Sequence, residues 1–206
     1  MSPTLARRLA ASPVGGPSRE CLVPISVFLW DEVQLFSGFP TNPVFQLFRE
    51  TGETTSVGIS EALYPKYRDL NLPSEQRFEL RTGLPPRIEE WLRPIAGIIR
   101  RAREGGGDGS PVILLDLRRG GNIPSFFCVE TLSGQVPDGN HRVLAYTLLA
   151  PEVPDCRVRV RIVSIHPAVL AIANGLTLAL CFVMDPIHTP GFAKKRFRKR
   201  GRRASD

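Results

Sequence analysis

The clearest alternation of apolar and polar side chains lies in residues 156–165, CRVRVRIVSI. Valine or isoleucine takes every second position and arginine the positions between, which predicts a β-strand with one buried face and one face in water. Residues 111–118 and 126–131 are apolar runs of strand length on either side of a turn rich in glycine, so we expect a hairpin. Residues 21–30 are rich in β-branched and aromatic side chains and predict a further strand.

Residues 85–107 have the period of an amphipathic helix. Apolar residues recur every three or four positions, acidic residues come early and arginines late, and three glycines end the pattern. Pro94 lies inside this pattern, so we expect a kink or a break into two helices. A second helix is predicted from Asp138 to Ala150, and a shorter one near residues 42–50.

These elements predict an α+β fold, with a small mixed sheet packed against helices in one domain over residues 21–190. Residues 1–20 predict a disordered N-terminus. Glycines and prolines divide residues 31–85 into short pieces, so we expect an irregular, partly helical insertion there. Residues 191–206 form a basic C-terminal tail that is too charged to be buried and is predicted to be disordered.

Residues 162–184 contain no Asp, Glu, Lys or Arg and are long enough to cross a bilayer. His166, Pro167, Asn174 and Gly175 interrupt this segment. A buried strand followed by helical or hairpin elements is therefore favoured over a membrane span. The Asn-Gly pair predicts a hairpin turn, whereas the abundance of alanine and leucine favours two short helices, and both alternatives stay open.

The formal net charge of +7 belongs to the tail, because residues 1–193 are formally neutral. The last thirteen residues hold eight lysines and arginines. Such a tail is suited to nucleic-acid phosphates, to an anionic membrane surface or to nuclear localisation in a eukaryote. The candidate nucleic-acid contacts are Lys194, Lys195, Arg196, Arg198, Lys199 and Arg200.

The four cysteines lie far apart in the chain, and no Cys or His pair has the spacing of a zinc site. This pattern favours a reduced protein without a resident metal. We therefore expect a cytoplasmic location, or a nuclear one in a eukaryotic host.

The start of the helix at Asp138 carries the candidate chemistry. Asp138 is a preferred N-cap residue, and the N–H groups of Gly139, Asn140 and His141 would then open at the positive end of the helix dipole. Arg142 follows Asp138 by four residues, so its guanidinium can reach the same point and bind phosphate oxygens. The alternative is purely structural: Asp138 caps the helix and pairs with Arg142, while His141 is exposed.

The motif and its surroundings resemble the ParB/sulfiredoxin superfamily. Within residues 91–165 an amphipathic helix, two strands, the sequence DGNHR, a helix and a further strand follow one another. DGNHR fits the Asp-Gly-x-His-Arg motif with which members of that superfamily hold nucleotide phosphates. Asn140 stands where sulfiredoxins have a cysteine, and Pro137 stands where the family ends its strand with an aliphatic residue. The strand before the motif should therefore end early or lie at a sheet edge.

The resemblance implies a ParB/sulfiredoxin-like core that binds a nucleotide, with ATP or CTP and Mg²⁺ as candidate ligands. It implies that Asp138 and His141 are catalytic, with Asp138 orienting a hydroxyl or a magnesium-bound water. Gly139, Asn140 and Arg142 would bind phosphate, together with His141. Upstream of the motif, Glu130 is a further candidate carboxylate.

Three functions remain open at this point. The first is a nucleotide-binding protein that transfers or hydrolyses phosphate in connection with nucleic acid. The second is a noncatalytic module that binds DNA or a nucleotide and gains affinity from the tail. The third is a tail-anchored membrane protein that uses residues 162–184.

Overall fold

The described residues form a mixed five-stranded sheet and helices that share one hydrophobic core, which confirms the α+β class. The computed structural model describes residues 18–29, 33–35, 43–104, 110–116 and 135–164, together with residues 172, 176, 179, 182 and 183. The strands are β1 (Ser18–Pro24), β2 (Gln34–Leu35), β3 (Val112–Asp116), β4 (Gln135–Asp138) and β5 (Arg157–Ser164). The helices are a 3₁₀ segment (Ile25–Leu29), α1 (Pro43–Thr51), α2 (Ser56–Leu63), α3 (Ser74–Arg77), α4 (Pro86–Leu92), α5 (Pro94–Arg103) and α6 (Asn140–Leu149).

The strands lie in the order β1, β5, β3, β4, β2. Neighbours β1 and β5 are antiparallel, as are β3 and β4, whereas β3 pairs with β5 and β2 with β4 in parallel. The predicted hairpin partner of β3, residues 126–131, lies outside the described residues. No described helix has the length and hydropathy needed to cross a bilayer.

The alternation predicted for β5 is confirmed. Val158, Val160 and Ile162 are buried in the core, whereas the arginines between them are exposed. Arg161 forms an ion pair with Glu20, its partner across the β1–β5 ladder. The face of the sheet opposite the helices is therefore lined by charged side chains at this edge.

The strand predicted over residues 21–30 has different bounds. β1 begins at Ser18, inside the segment expected to be disordered, and ends at Pro24. The chain then forms the 3₁₀ segment, in which the Ile25 N–H donates to the Cys156 carbonyl at 2.7 Å. Proline has no N–H to donate to a ladder, which gives a physical reason for the strand to end there. Residues 1–17 lie outside the described part of the chain.

The described part of residues 31–85 is more regular than the sequence suggested. The short helix expected near residues 42–50 is present as α1, and α2 follows it with Thr55 as its N-cap. The Thr55 hydroxyl accepts from the Gly58 N–H at 3.1 Å. Because Phe45 and Ile59 are buried, these helices belong to the core.

The break expected at Pro94 is confirmed, because α4 ends at Leu92 and α5 begins at Pro94. The expectation about Pro137 is only partly right. β4 lies between β3 and β2 and is no edge strand, but its pairing with β2 ends at Val136, one residue before the proline. The β3–β4 register also shifts here, which accommodates a residue without an N–H.

The helix expected from Asp138 begins at Asn140 instead. Asp138 is the last residue of β4 and pairs with Ile113 on β3, so the ladder holds it in extended backbone. Gly139 is the N-cap residue of α6. The prediction of Asp138 as the N-cap is therefore wrong, because a sheet contact distant in sequence outweighs the local capping preference.

α6 lies at the centre of the core, and its residues from Arg142 to Leu149 are all buried. It packs against the 3₁₀ segment, α2, α5 and β3. Among these residues, the Thr147 hydroxyl donates to the Val143 carbonyl at 2.8 Å. A helix that is buried on all sides has its position determined by its neighbours.

A partly exposed carboxylate joins three elements at the other end of α6. Glu152 follows this helix and accepts hydrogen bonds from Arg77 of α3 and from Arg103 of α5. The side chain of Arg77 is only 5% exposed. Burial alone would raise the pKa of Glu152, but the hydrogen bonds from Arg103 and Arg77 outweigh it and hold that pKa below its ordinary value.

We expect Glu152→Gln to lower the free energy of unfolding by about 3 kcal/mol at pH 7, because it leaves the buried Arg77 cation without its counterion. Glu152 has a lowered pKa in the folded state, so its contribution is present above the unfolded-state pKa and is lost as the pH falls through the folded-state pKa. Wild type should therefore lose more stability than the variant as the pH falls below about 4.5. Urea denaturation across this range measures both effects.

The control is Glu79→Gln, which removes an exposed ion pair with Lys66. It should cost less than about 1 kcal/mol. Equal losses in the two variants would contradict a structural role for Glu152.

Candidate functional site

The chain turns from β4 into α6 at Gly139, which has a φ of +94°. Residues with a Cβ rarely adopt this conformation. A Cβ on Gly139 would also lie 3.3 Å from the Cα of Val112 and 3.2 Å from Nε of Arg142. The backbone at the start of α6 therefore lies directly against β3 and against the Arg142 guanidinium.

The N-cap residue of α6 is Gly139, which has no side chain to cap the start of the helix. The first hydrogen bond of the helix runs from the Val143 N–H to the Gly139 carbonyl at 2.9 Å. The preceding N–H groups of the first turn have no carbonyl within the helix to bond, and they lie at the positive end of the helix dipole. The side chain of Asp138, which was expected to cap them, is 67% exposed.

Arg142 connects α6 to the chain segment that precedes β3. Its side chain is 10% exposed, and Nη1 donates to the Ser110 carbonyl at 2.5 Å. Nη2 lies 3.4 Å from Oδ2 of Asp138, so the predicted approach of these two side chains is present. The Ser110 contact was not predicted, because the two residues are 32 positions apart in the sequence.

His141 is half-buried rather than an exposed first-turn residue. Nε2 lies 2.7 Å from the Trp91 carbonyl, and the two rings have centroids 4.0 Å apart. A carbonyl only accepts, so Nε2 carries a proton and donates it, which leaves Nδ1 as the other hydrogen-bonding atom of the ring. Burial lowers the pKa of His141 from its ordinary 6.5, the Trp91 hydrogen bond opposes this, and nearby Arg142 lowers it further. The ring is therefore neutral at pH 7.

The break at Pro94 explains why the Trp91 carbonyl can accept this bond. Trp91 lies in the last turn of α4, where carbonyls lack some of their intrahelical donors. Pro94 has no N–H to supply one of them. Because Pro94 cannot donate to it, the Trp91 carbonyl oxygen can accept the hydrogen bond from Nε2 of His141.

A cleft of about 460 Å³ lies in front of α6. The whole DGNHR motif lines it, so the structure brings together the five predicted residues Asp138 to Arg142. Ser110 continues this polar side, and Arg101 of α5 adds an exposed guanidinium. The remaining lining residues are apolar or aromatic: Val44, Trp91, Pro94 and Ile98.

Arg101, Ser110 and Trp91 are site residues that the sequence did not identify. Trp91 belongs to the apolar face of the amphipathic pattern, which indicated core, and Arg101 resembled its exposed neighbours. The only signal was the break at Pro94 within that pattern. Glu130 and the tail cations Lys194 to Arg200 lie outside the described residues.

We expect Gly139→Ala to lower the free energy of unfolding by about 2 kcal/mol or more, because it combines a positive φ with crowding against Val112 and Arg142. Gly83→Ala is the matched control, since Gly83 has a φ of +80° but an added Cβ would meet nothing within 4 Å. It should show the backbone strain alone, about 1 kcal/mol. Chemical denaturation measures both variants, and an equal loss would contradict close packing at Gly139.

Comparisons with protein-family models, with curated proteins and with solved structures give no match for this chain. The resemblance to the ParB/sulfiredoxin superfamily stays a prediction from the DGNHR motif and from the predicted order of the elements around it. The chemistry of the site follows from its geometry: a helix start with glycine as its N-cap, two guanidinium groups, one carboxylate and several apolar side chains line one cleft.

Proposed function

We propose that this protein binds the phosphate groups of a nucleotide in the cleft at the start of α6. The observation that carries the proposal is the first turn of α6, whose backbone N–H groups follow the N-cap Gly139 beside a cleft lined by Arg142 and Arg101. Phosphate oxygens accept hydrogen bonds from such N–H groups, and the helix dipole favours negative charge at this end. Gly139 brings no side chain between the ligand and these groups.

The charges of the cleft support an anionic ligand. Its ionisable lining consists of the cations Arg101 and Arg142, the carboxylate of Asp138 and the neutral ring of His141. One positive charge therefore remains in excess. A guanidinium has five N–H donors, and the contacts to Ser110 and Asp138 occupy only part of that capacity in Arg142.

The shape of the cleft supports a nucleotide over inorganic phosphate. Its volume of about 460 Å³ exceeds what a phosphate needs and lies within the range of small-molecule sites. The wall that includes Trp91 and Ile98 offers an apolar surface to a planar base. An apolar wall does not discriminate strongly between bases, so ATP, CTP and GTP are all test ligands.

Magnesium fits this site only as a companion of the nucleotide. Among the described residues, no group of three His, Cys, Asp or Glu side chains could hold a metal ion. Asp138 at the exposed edge of the cleft would orient a hydroxyl or a water of the hydrated ion. Phosphate transfer or hydrolysis would then use Asp138 and His141, and a noncatalytic module would bind the same ligand without releasing phosphate.

We expect Arg101→Glu to weaken the binding of a magnesium nucleotide at least about tenfold, because it replaces a cation beside the phosphates by an anion. Arg101 is exposed, so the variant should fold normally. Arg100→Glu is the matched control: it lies next to Arg101 on the same helix, is exposed and does not line the cleft. Isothermal titration of the full chain with ATP, CTP and GTP measures the dissociation constants.

The Arg100→Glu variant should stay within about threefold of wild type, since a charge farther from the ligand is screened by water and salt. Absence of binding by wild type for all three nucleotides would overturn the proposal. Equal weakening by the two variants would show that the ligand does not lie in the cleft.

Nucleotide binding should also depend on pH through His141. A phosphate beside this ring favours the imidazolium and raises its pKa from the lowered value of the free protein, so binding takes up a proton. Affinity should therefore increase as the pH falls through the raised pKa of the complex and level off below that of the free protein. Arg101, Arg142 and Asp138 are the other ionisable residues that line the cleft.

Titration of wild type and His141→Gln between pH 8 and pH 5.5 checks this dependence. The glutamine side chain can still donate to the Trp91 carbonyl. Its curve contains only the titration of the nucleotide, which is subtracted from that of wild type. Identical curves for the two proteins would show that His141 does not exchange a proton with the bound state.

A further inference from the structure

Ser110 lines the cleft and has no part in the binding of phosphate described above. It lies just before β3 and is exposed. Among the described residues that line the cleft, it alone carries a hydroxyl group. The fold therefore brings one aliphatic hydroxyl to the place where we propose that the phosphates of a nucleotide bind.

The guanidinium of Arg142 fixes the position of Ser110. Nη1 of Arg142 donates to the Ser110 carbonyl oxygen at 2.5 Å, and the arginine side chain is only 10% exposed. The Ser110 hydroxyl is three covalent bonds from the carbonyl carbon that this contact holds, so it stays close to the guanidinium in each of its rotamers. A phosphate bound by Arg142 would therefore lie within reach of this hydroxyl.

The same guanidinium also approaches a carboxylate. Nη2 of Arg142 lies 3.4 Å from Oδ2 of Asp138. Because Nη1 and Nη2 belong to one planar, rigid group, the contacts to Ser110 and to Asp138 hold these two residues close to each other. An ionised carboxylate only accepts hydrogen bonds, so it is suited to orient a neighbouring hydroxyl and to take up its proton.

Phosphoryl transfer to a hydroxyl depends mainly on position and on charge. The acceptor oxygen must lie in line with the bond that breaks, and cations must neutralise the charge of the transferred group. Arg142 and Arg101 supply two cations, and the first turn of α6 lies beside the same cleft. A hydroxyl that the fold already holds near the phosphates loses little further entropy when it reacts, which favours transfer within the complex.

We infer that Ser110 accepts a phosphoryl group from a nucleoside triphosphate bound in the cleft, so that the protein phosphorylates itself. This inference rests on the proposed function and names the acceptor for it. Oγ of Ser110 forms a bond to the γ-phosphorus while the bond from that phosphorus to the oxygen bridging to the β-phosphate breaks. The nucleoside diphosphate leaves with the electron pair of that bond, and the hydroxyl proton passes to the Asp138 carboxylate.

Incubation of the full chain with magnesium and with ATP, CTP or GTP labelled in the γ-phosphate tests this inference. Wild type should acquire one phosphoryl group, and mass spectrometry of its peptides should locate that group on Ser110. The rate constant of labelling should be independent of protein concentration, because donor and acceptor belong to one complex. Ser110→Ala should lose the label, whereas Ser26→Ala, at a serine that does not line the cleft, should keep it.

Asp138→Asn tests the acceptor of the proton. It should lower the rate of labelling at least about tenfold, because an amide cannot take up the hydroxyl proton. Asp155→Asn is the matched control, since it removes the same charge at an exposed residue that does not line the cleft. Its rate should stay within about twofold of wild type, because water and salt screen a distant charge. Equal rates in the two variants would contradict the role of Asp138.

Nucleotide titration of the same wild-type sample separates this inference from the proposal of nucleotide binding. Binding without any label would overturn the inference alone. Binding with release of free phosphate and no label would also overturn it, because water would then be the acceptor. Label on a different residue, or a rate constant that increases with protein concentration, would do the same. Absence of binding would overturn both the inference and the proposed function.

Discussion

The close approach of the Gly139 backbone to β3 is the contact on which the arrangement of the site depends. It sets where the chain leaves the sheet, and with it where the first turn of α6 begins. A glycine with positive φ allows the chain to reverse within one residue, so the helix starts beside the strand that precedes it. Arg142 then spans the junction and bonds the chain before β3. The turn, the helix start and the guanidinium form one packed unit.

Contacts along its whole length fix α6 relative to the other described elements. Its middle is buried among the 3₁₀ segment, α2, α5 and β3, so shape determines its orientation there. Its two ends are held by polar contacts, with His141 on the Trp91 carbonyl at one end and Glu152 on two arginines beyond the other. Directional bonds at both ends and apolar packing between them give a helix a single register in its surroundings.

Patterns that depend on near neighbours in the sequence predicted the structure well. The alternation of β5, the helical period around Pro94 and α1 all depend on residues within one or two turns of each other. The motif residues were also found together, because five consecutive residues at a helix start cannot separate.

Contacts between distant parts of the chain account for what the sequence did not show. The pairing of Asp138 with Ile113 removed it from the N-cap position, and β1 starts at Ser18 because it pairs with β5, far along the chain. The Trp91 carbonyl that holds His141 is 50 residues away and belongs to the backbone, which carries no residue-specific signal. Such partners follow from the packed fold and not from any local pattern.

The residues that line the cleft differ in how well the fold should tolerate their substitution. Residues at its base, such as Gly139 and Arg142, are fixed by contacts that the fold itself needs. Arg101 and Asp138 at its edge are exposed and are not held in the core. Replacement at the edge should cost little stability, whereas replacement at the base disturbs the fold itself. The charge and shape of the cleft can therefore change at its edge while the helix start beside β3 stays in place.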